Sequence, residues 1–268
     1  MEWTVQARSA RKWTLALPGV LAFTLALCPI AARADEPAKT EGRDNVLFYC
    51  SFNDTVHPTI QQGDKGVEPH GTVEFVKGFM GKAVLTGHSR FLVYPLKGNI
   101  NITEGTIKFW VMPADWKIGD GQFHHFFRIV GQQPEGVKDA RPFDLILYKY
   151  SEWDDIVAYG MNGELTGAGM PQIPMDSSWA PKRWHQVAFT WNNQGASLYV
   201  DGVGKDRKYV HEPPNMFPSG SFLIGVPYFA ENKTLTAINE LYIYNRKLSA
   251  EEIGQMYKKE LVEGVMKR

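Results

Sequence analysis

Residues 184–203 read WHQVAFTWNNQGASLYVDGV, and the alternation in this stretch decides the fold. Val187, Phe189 and Trp191 fall on one face of a first extended arm, and Leu198 and Val200 on one face of a second. Between the arms, Asn192-Asn193-Gln194-Gly195 supplies residue types that tolerate positive φ in a tight turn. Asp201-Gly202 marks a second turn at the far end. A slip of one residue would carry each apolar side chain to the wrong face, so the register is well specified. The stretch predicts an antiparallel hairpin.

The same period extends outward. Strands are predicted near 46–52, 72–77, 82–86, 91–96, 105–113, 123–130, 143–150, 155–161, 184–192, 196–202, 221–225 and 236–245. Many short strands separated by Gly, Pro and Asn predict an all-β protein, an antiparallel β-sandwich of the jelly-roll kind. In Thr106–Met112, Ile107, Phe109 and Val111 share one face, while Lys108 and Trp110 make the other face mixed. Only the C-terminal end reads as a short helix. Ser249 is an N-cap with Glu252 completing a capping box, and Ile253, Met256, Tyr257 and Leu261 recur at helical spacing. No internal repeat divides the chain, so residues 46–262 are expected to form one domain, preceded by a charged tether at 35–45.

The first 34 residues read as a signal peptide: Arg8, Arg11 and Lys12 precede an apolar run from Leu15 to Ala26, and Ala32-Arg33-Ala34 fits the small-x-small cleavage rule. Cleavage is expected after Ala34. A lipid-attachment reading at Cys28 is disfavoured by Leu27, where such sites want a small residue. Pro18 and Pro29 interrupt the segment as a membrane span, so the mature chain is expected to have no transmembrane segment. Removing the peptide takes four basic residues and one acid from the 29 of each, leaving 25 basic and 28 acidic residues and a net charge of −3. That balance, with no run of Lys and Arg, excludes a nucleic-acid stripe. Cys50 is then the one cysteine left of two, on an apolar strand, and no intrachain disulfide can form. These features predict a secreted or periplasmic protein.

Four segments together carry a family resemblance: Phe75–Val84 (FVKGFMGKAV), Gly105–Trp116 (GTIKFWVMPADW), the hairpin with Trp184-His185, and Ile238–Ile253 (INELYIYNRKLSAEEI). In this order and spacing the chain resembles laminin-G-like domains of the concanavalin A-like lectin/glucanase group, from about Val46 to Tyr257. The resemblance implies the jelly roll. It leaves activity open, because lectins, glycosidases, lyases and adhesion modules share that fold. It also implies a structural calcium near the first and last strands, where such domains often hold one. Here Asn239 stands where such sites often use an acid, and Asn53 and Asp54 are the other candidate oxygen donors. The same three residues also suit an ordinary turn bonded to its own backbone.

Retaining glucanases of this group resemble one another in a Glu-x-Asp-x-x-Glu strand, which places its carboxylates on one face. Glu152-Trp153-Asp154 is the nearest match, and Val157 stands where the second Glu belongs. That machinery is missing, which leaves only a divergent glycoside hydrolase or polysaccharide lyase built on Glu152 and Asp154. His124 and His125 are adjacent on a predicted strand and face opposite sides, and His185 is expected to be a structural hydrogen-bonder. No zinc, phosphate-cradle or nucleophile-elbow pattern is present. Carbohydrate is read by exposed rings flanked by polar side chains. Trp116, Trp153, Trp179 and Tyr228 fall in or beside predicted loops, near Asp115, Lys117, Asp154, Gln172 and Asp176. The alternative for each ring is packing under a long loop. The expectation is a secreted, non-catalytic module that binds carbohydrate or a cell-surface protein through these aromatics. A protein-binding adhesion or scaffold subunit is the third possibility.

Overall fold

The computed structural model describes residues 45–132, 141–142, 144–160, 171–208, 216–217, 219–226 and 233–266. In chain order the strands are β1 (Val46–Cys50), β2 (Ile60–Gln61), β3 (Glu68–His70), β4 (Phe75–Lys77), β5 (Lys82–Thr86), β6 (Phe91–Pro95), β7 (Gly105–Pro113), β8 (His124–Gly131) and β9 (Arg141–Pro142). There follow β10 (Asp144–Lys149), β11 (Asp155–Gly160), β12 (Gln172–Pro174), β13 (His185–Asn192), β14 (Gly195–Val200), β15 (Val203–Lys208), β16 (Met216–Phe217), β17 (Gly220–Ile224) and β18 (Thr236–Tyr244). One helix, α1 (Ala250–Met266), closes the described chain. The first sheet runs β15-β14-β13-β7-β18-β1-β2, with β5 joined to β18 and β4 to β5. The second runs β12-β11-β10-β8-β17-β6-β3, and the pairings within both are antiparallel.

The hairpin that decides the fold forms in the predicted register. Val187 faces Val200, Phe189 faces Leu198, and Asn192 faces Gly195 around a two-residue turn. Asp201 and Gly202, at φ 51° and 77°, make the second two-residue turn, into β15. Period-2 alternation sends Phe48, Ile107, Phe109, Val187, Phe189, Leu198 and Ile243 inward from one sheet. Leu92, Phe127, Ile129, Leu145, Leu147, Ile156 and Phe222 meet them from the other. Within this core Phe48, Tyr94 and Phe222 pack with ring centroids 5.0–5.2 Å apart. The buried Tyr94 hydroxyl is satisfied by donating to the Val56 carbonyl at 2.7 Å. Gly105 is needed where it stands, since a Cβ there would lie 2.4 Å from the Trp191 ring. Cys50 is a buried free thiol, and burial foremost pushes it up to about 12, so it acts as a small apolar filler.

The outer face of the first sheet is covered along β7, so every residue of that strand is buried, Lys108 and Trp110 included. Helix α1 provides the cover. The capping box forms, with Ser249 N donating to Glu252 Oε2 at 2.8 Å and Glu252 N to Ser249 Oγ at 3.2 Å. Its inward stripe is Ile253, Met256, Tyr257, Glu260 and Gly264. Leu261, expected on that stripe, is exposed at its side, and Glu260 takes the inward place. Chemistry explains the exchange. Glu260 receives the Lys108 ammonium, Trp110 Nε1 at 2.8 Å and Gln186 Nε2 at 2.9 Å, and an apolar residue there would leave all three donors buried without acceptors.

Candidate functional site

The second sheet has an outer face that no helix covers among the described residues, and it is aromatic. Alternation in β10 turns Leu145 and Leu147 into the core and Ile146 and Tyr148 outward. In β11 it turns Ile156 and Ala158 inward and leaves Tyr159 39% exposed. The register sets Ile146 beside Tyr159 and Arg128, and Tyr148 beside His125 and Val157. Phe123, His125, Ile146, Tyr148, Tyr150 and Tyr159 thereby line a groove of 240 Å³. Trp153, on the turn after β10, is 64% exposed and stacks on Tyr150 with centroids 4.9 Å apart. Exposure of a ring that large at the groove's end is the geometry a sugar face needs for stacking.

Polar groups flank the rings. Arg128 and Asp144 lie on the same outer face of neighbouring strands, Arg128 in the row of Ile146 and Tyr159 and Asp144 one row along. Among the described residues, Arg128 Nε and Asp144 Oδ1 are buried without a hydrogen-bond partner. Burial raises the Asp144 carboxyl, an effect that outweighs the pull of Arg128 in the other direction. One donor and one acceptor without partners beside an aromatic floor suit a hydroxyl-bearing ligand, which can satisfy both. Burial, with Arg128 adding to it, pushes His125 down to about 4, so the groove imidazole is neutral at pH 7.

The wall behind the groove is held by a buried ion network. The Lys149 side chain is fully buried and its ammonium lies 2.7 Å from both Asp120 Oδ1 and Asp154 Oδ1. Asp120 Oδ2 meets His124 Nε2 at 2.6 Å, and Gly119 N donates to Asp154 Oδ2 at 2.8 Å. Burial acts to raise Asp120, but the hydrogen bonds from His124 and Lys149 outweigh it and hold the carboxyl at about 2. The network clamps the 115–123 loop to the β10–β11 turn that carries Trp153.

The sequence-predicted residues separate. Trp153 presents its ring to solvent as expected. Trp116 and Trp179 do not: they are 2% and 3% exposed. Trp116 stacks on His124 and donates to Thr236 Oγ1 at 2.9 Å, and Trp179 stacks on His185. Both close the end of the core, because large loop rings beside an open sandwich end bury more apolar area there than in solvent. Tyr228 lies outside the described residues. His185 bonds Asp201 Oδ2 at 2.7 Å and the Ser178 carbonyl at 3.2 Å, a structural role. Glu152 and Asp154 sit on a turn rather than a strand. Glu152 points to solvent and Asp154 is committed to Lys149 and Gly119, so the pair does not form two converging acids.

Asn53, Asp54 and Asn239 do come together, around the Gly78–Lys82 turn. The donor set does not fit a calcium ion. Asn239 is fully buried; its Oδ1 accepts from Met80 N, and its Nδ2 donates to the Ser51 and Lys82 carbonyls at 2.7 Å. Asn53 Oδ1 accepts from Lys82 N, and the Lys82 ammonium stands 2.7 Å from Asp54. The amide of Asn239 is thus a backbone clasp that an acid could not replace. Asn239→Asp is expected to cost about 2–4 kcal/mol in urea denaturation, by losing two donors and facing a carboxylate at two carbonyls. Calcium or a chelator should leave the wild-type midpoint unmoved.

Residues 87–254 match the family model of the concanavalin A-like lectin/glucanases superfamily. The chain belongs to that superfamily. No match was found among curated proteins. Domain 4 of AbnA, an extracellular GH43 arabinanase from Geobacillus stearothermophilus solved with arabinotriose, superposes with a TM-score of 0.57 at 17% identity, over 80% of this chain and 98% of that domain. The binding domain of Paraclostridial Mosquitocidal Protein 1 superposes at 0.59 and 13% identity over 81% of this chain. The botulinum neurotoxin serotype D binding domain does so at 0.59 and 14%, again over 81%. This member of the superfamily spans 52% of the length of each of those two binding domains. At such identities the likeness is one of fold.

Proposed function

We propose that this protein is a secreted, non-catalytic module that binds carbohydrate along the outer face of its second sheet. The observation that carries the reading is the row of Tyr148, Tyr150, Tyr159 and Trp153 beside the unsatisfied Arg128 Nε and Asp144 Oδ1. Rings supply stacking platforms, and the flanking guanidinium and carboxylate can exchange hydrogen bonds with sugar hydroxyls. The arabinanase domain that shares the fold was solved with a bound arabinotriose, which makes arabino-oligosaccharides a rational first probe. Export is supported by the basic and apolar N-terminal segment ending at Ala32-Arg33-Ala34. No helix among the described residues is long and apolar enough to cross a membrane.

Titration calorimetry against arabino-oligosaccharides and a panel of neutral polysaccharides tests the reading. At least one should bind, and Trp153→Ala and Tyr148→Ala should each weaken it about five- to tenfold. Trp116→Phe, behind the wall, should leave affinity near wild type. Absence of binding across the panel, or equal affinity in the two groove variants, would remove the proposal.

A further inference from the structure

A second cleft lies on the outer face of the first sheet, and among the described residues none of its lining comes from α1. Val76 and Lys77 of β4, Leu85 of β5, Met112 of β7, and Gly78, Ala114, Lys182 and Trp184 enclose 440 Å³. The floor follows from alternation: Val84 and Val111 enter the core, so Leu85 and Met112 face outward and pack with Ala83 and Ala237. Volume and apolar lining are those of a small-molecule site.

The rim gives the cleft a sign. Among the described residues its charged lining is Lys77 and Lys182, with no carboxylate. Both lysines are exposed, and among the described residues neither forms an ion pair. Lys182 also holds φ at +68°, a conformation that favours glycine, and it is fixed there by donating its backbone N–H to the Pro113 carbonyl at 2.9 Å. A long cationic side chain kept at a glycine-favouring position beside an apolar cleft is an observed outlier that points to use. Two other lysines on this sheet are paired with carboxylates, Lys82 with Asp54 and Lys108 with Glu260.

We infer that this cleft binds a small amphipathic anion: an aliphatic or aromatic body seated on Leu85, Met112 and Trp184, with a carboxylate held between Lys77 and Lys182. The site is on the opposite sheet from the carbohydrate groove, and its occupancy does not depend on that groove. Two cations at the mouth of a low-dielectric cleft select a monoanion over its neutral counterpart, because the acid can be paired while its tail is desolvated.

Decanoate and decanol serve as the charged and neutral probes, with Trp184 fluorescence and titration calorimetry as readouts. Decanoate should bind saturably at one site, and decanol at least about tenfold more weakly. Lys182→Gly removes the ammonium while suiting the positive φ, so it keeps the fold; combined with Lys77→Gln it should cost about tenfold in decanoate affinity and leave decanol unchanged. Met112→Gln should weaken both probes. Equal affinity for the two probes, or decanoate binding unaltered in the double lysine variant, would overturn the inference. Neither result bears on sugar binding, which is read separately through Trp153.

Discussion

Replacing Lys149 by Met is expected to destabilise the protein by about 3–5 kcal/mol, read as a fall in the urea midpoint with an unchanged slope. The ammonium is wholly buried and is the cation shared by Asp120 and Asp154. Removing it leaves two neighbouring carboxylates that repel each other without their shared cation, Asp120 held by His124 and Gln122 N and Asp154 by Gly119 N. Adding Asp120→Asn to Lys149→Met should recover a sizeable part of the loss, because it removes one of the stranded charges. The same network sets an acid limb. Asp120 falls from an ordinary 3.8 to about 2 in the folded protein. A depressed carboxylate contributes stability that is fully present above its unfolded value and is lost as pH falls through its folded one. Glu252, lowered to about 2 chiefly by Arg246, adds in the same direction. Stability should therefore drop between about pH 4.5 and pH 2, and the drop should be shallower in Asp120→Asn.

Glu260→Leu is the second large effect, again expected at about 3–5 kcal/mol. Helix α1 would keep its apolar contacts through Ile253 and Met256. Lys108, with a fully buried side chain, would lose the carboxylate that pairs it and, among the described residues, keep the Tyr242 ring 4.5 Å away. Trp110 Nε1 and Gln186 Nε2 would lose their acceptor as well. Pairing Glu260→Leu with Lys108→Met should return most of the stability, since an apolar pair can replace a buried ion pair of similar volume. Failure of that recovery would mean that Trp110 and Gln186, rather than the charge, carry the cost.

Much of the fold was legible because its signals are local and periodic. The β13–β14 hairpin, the Asp201-Gly202 turn and the Ser249–Glu252 box each rest on a few residues with one dominant structural solution. Strands with little apolar content were not legible: β2, β3 and β12 are two or three residues long, and β15 reads Val-Gly-Lys-Asp-Arg-Lys, an edge strand written in polar residues. The site was only partly legible. Trp153 stood out as a loop ring among charges and is exposed. Trp116 and Trp179 carried the same signature and are buried, because sequence cannot show which loop folds over an open sandwich end. Tyr148 and Tyr159 fall in the strands predicted near 143–150 and 155–161, where alternation alone does not say which face is left open. A signal was present there, since β10 is apolar on both faces with Ile146 and Tyr148 opposite Leu145 and Leu147. A strand of that kind has a covered face and a second face with work to do.

The most direct test of the carbohydrate reading is a nuclear magnetic resonance titration that follows the indole N–H signals. Of the eight tryptophans, Trp153 is the exposed one among the described residues, while Trp110, Trp116, Trp179 and Trp191 are buried. Binding of an oligosaccharide on the second sheet should move the Trp153 signal progressively to saturation and leave those four in place. Saturable sugar binding that leaves Trp153 unmoved, or that shifts Trp184 across the molecule instead, would contradict the account.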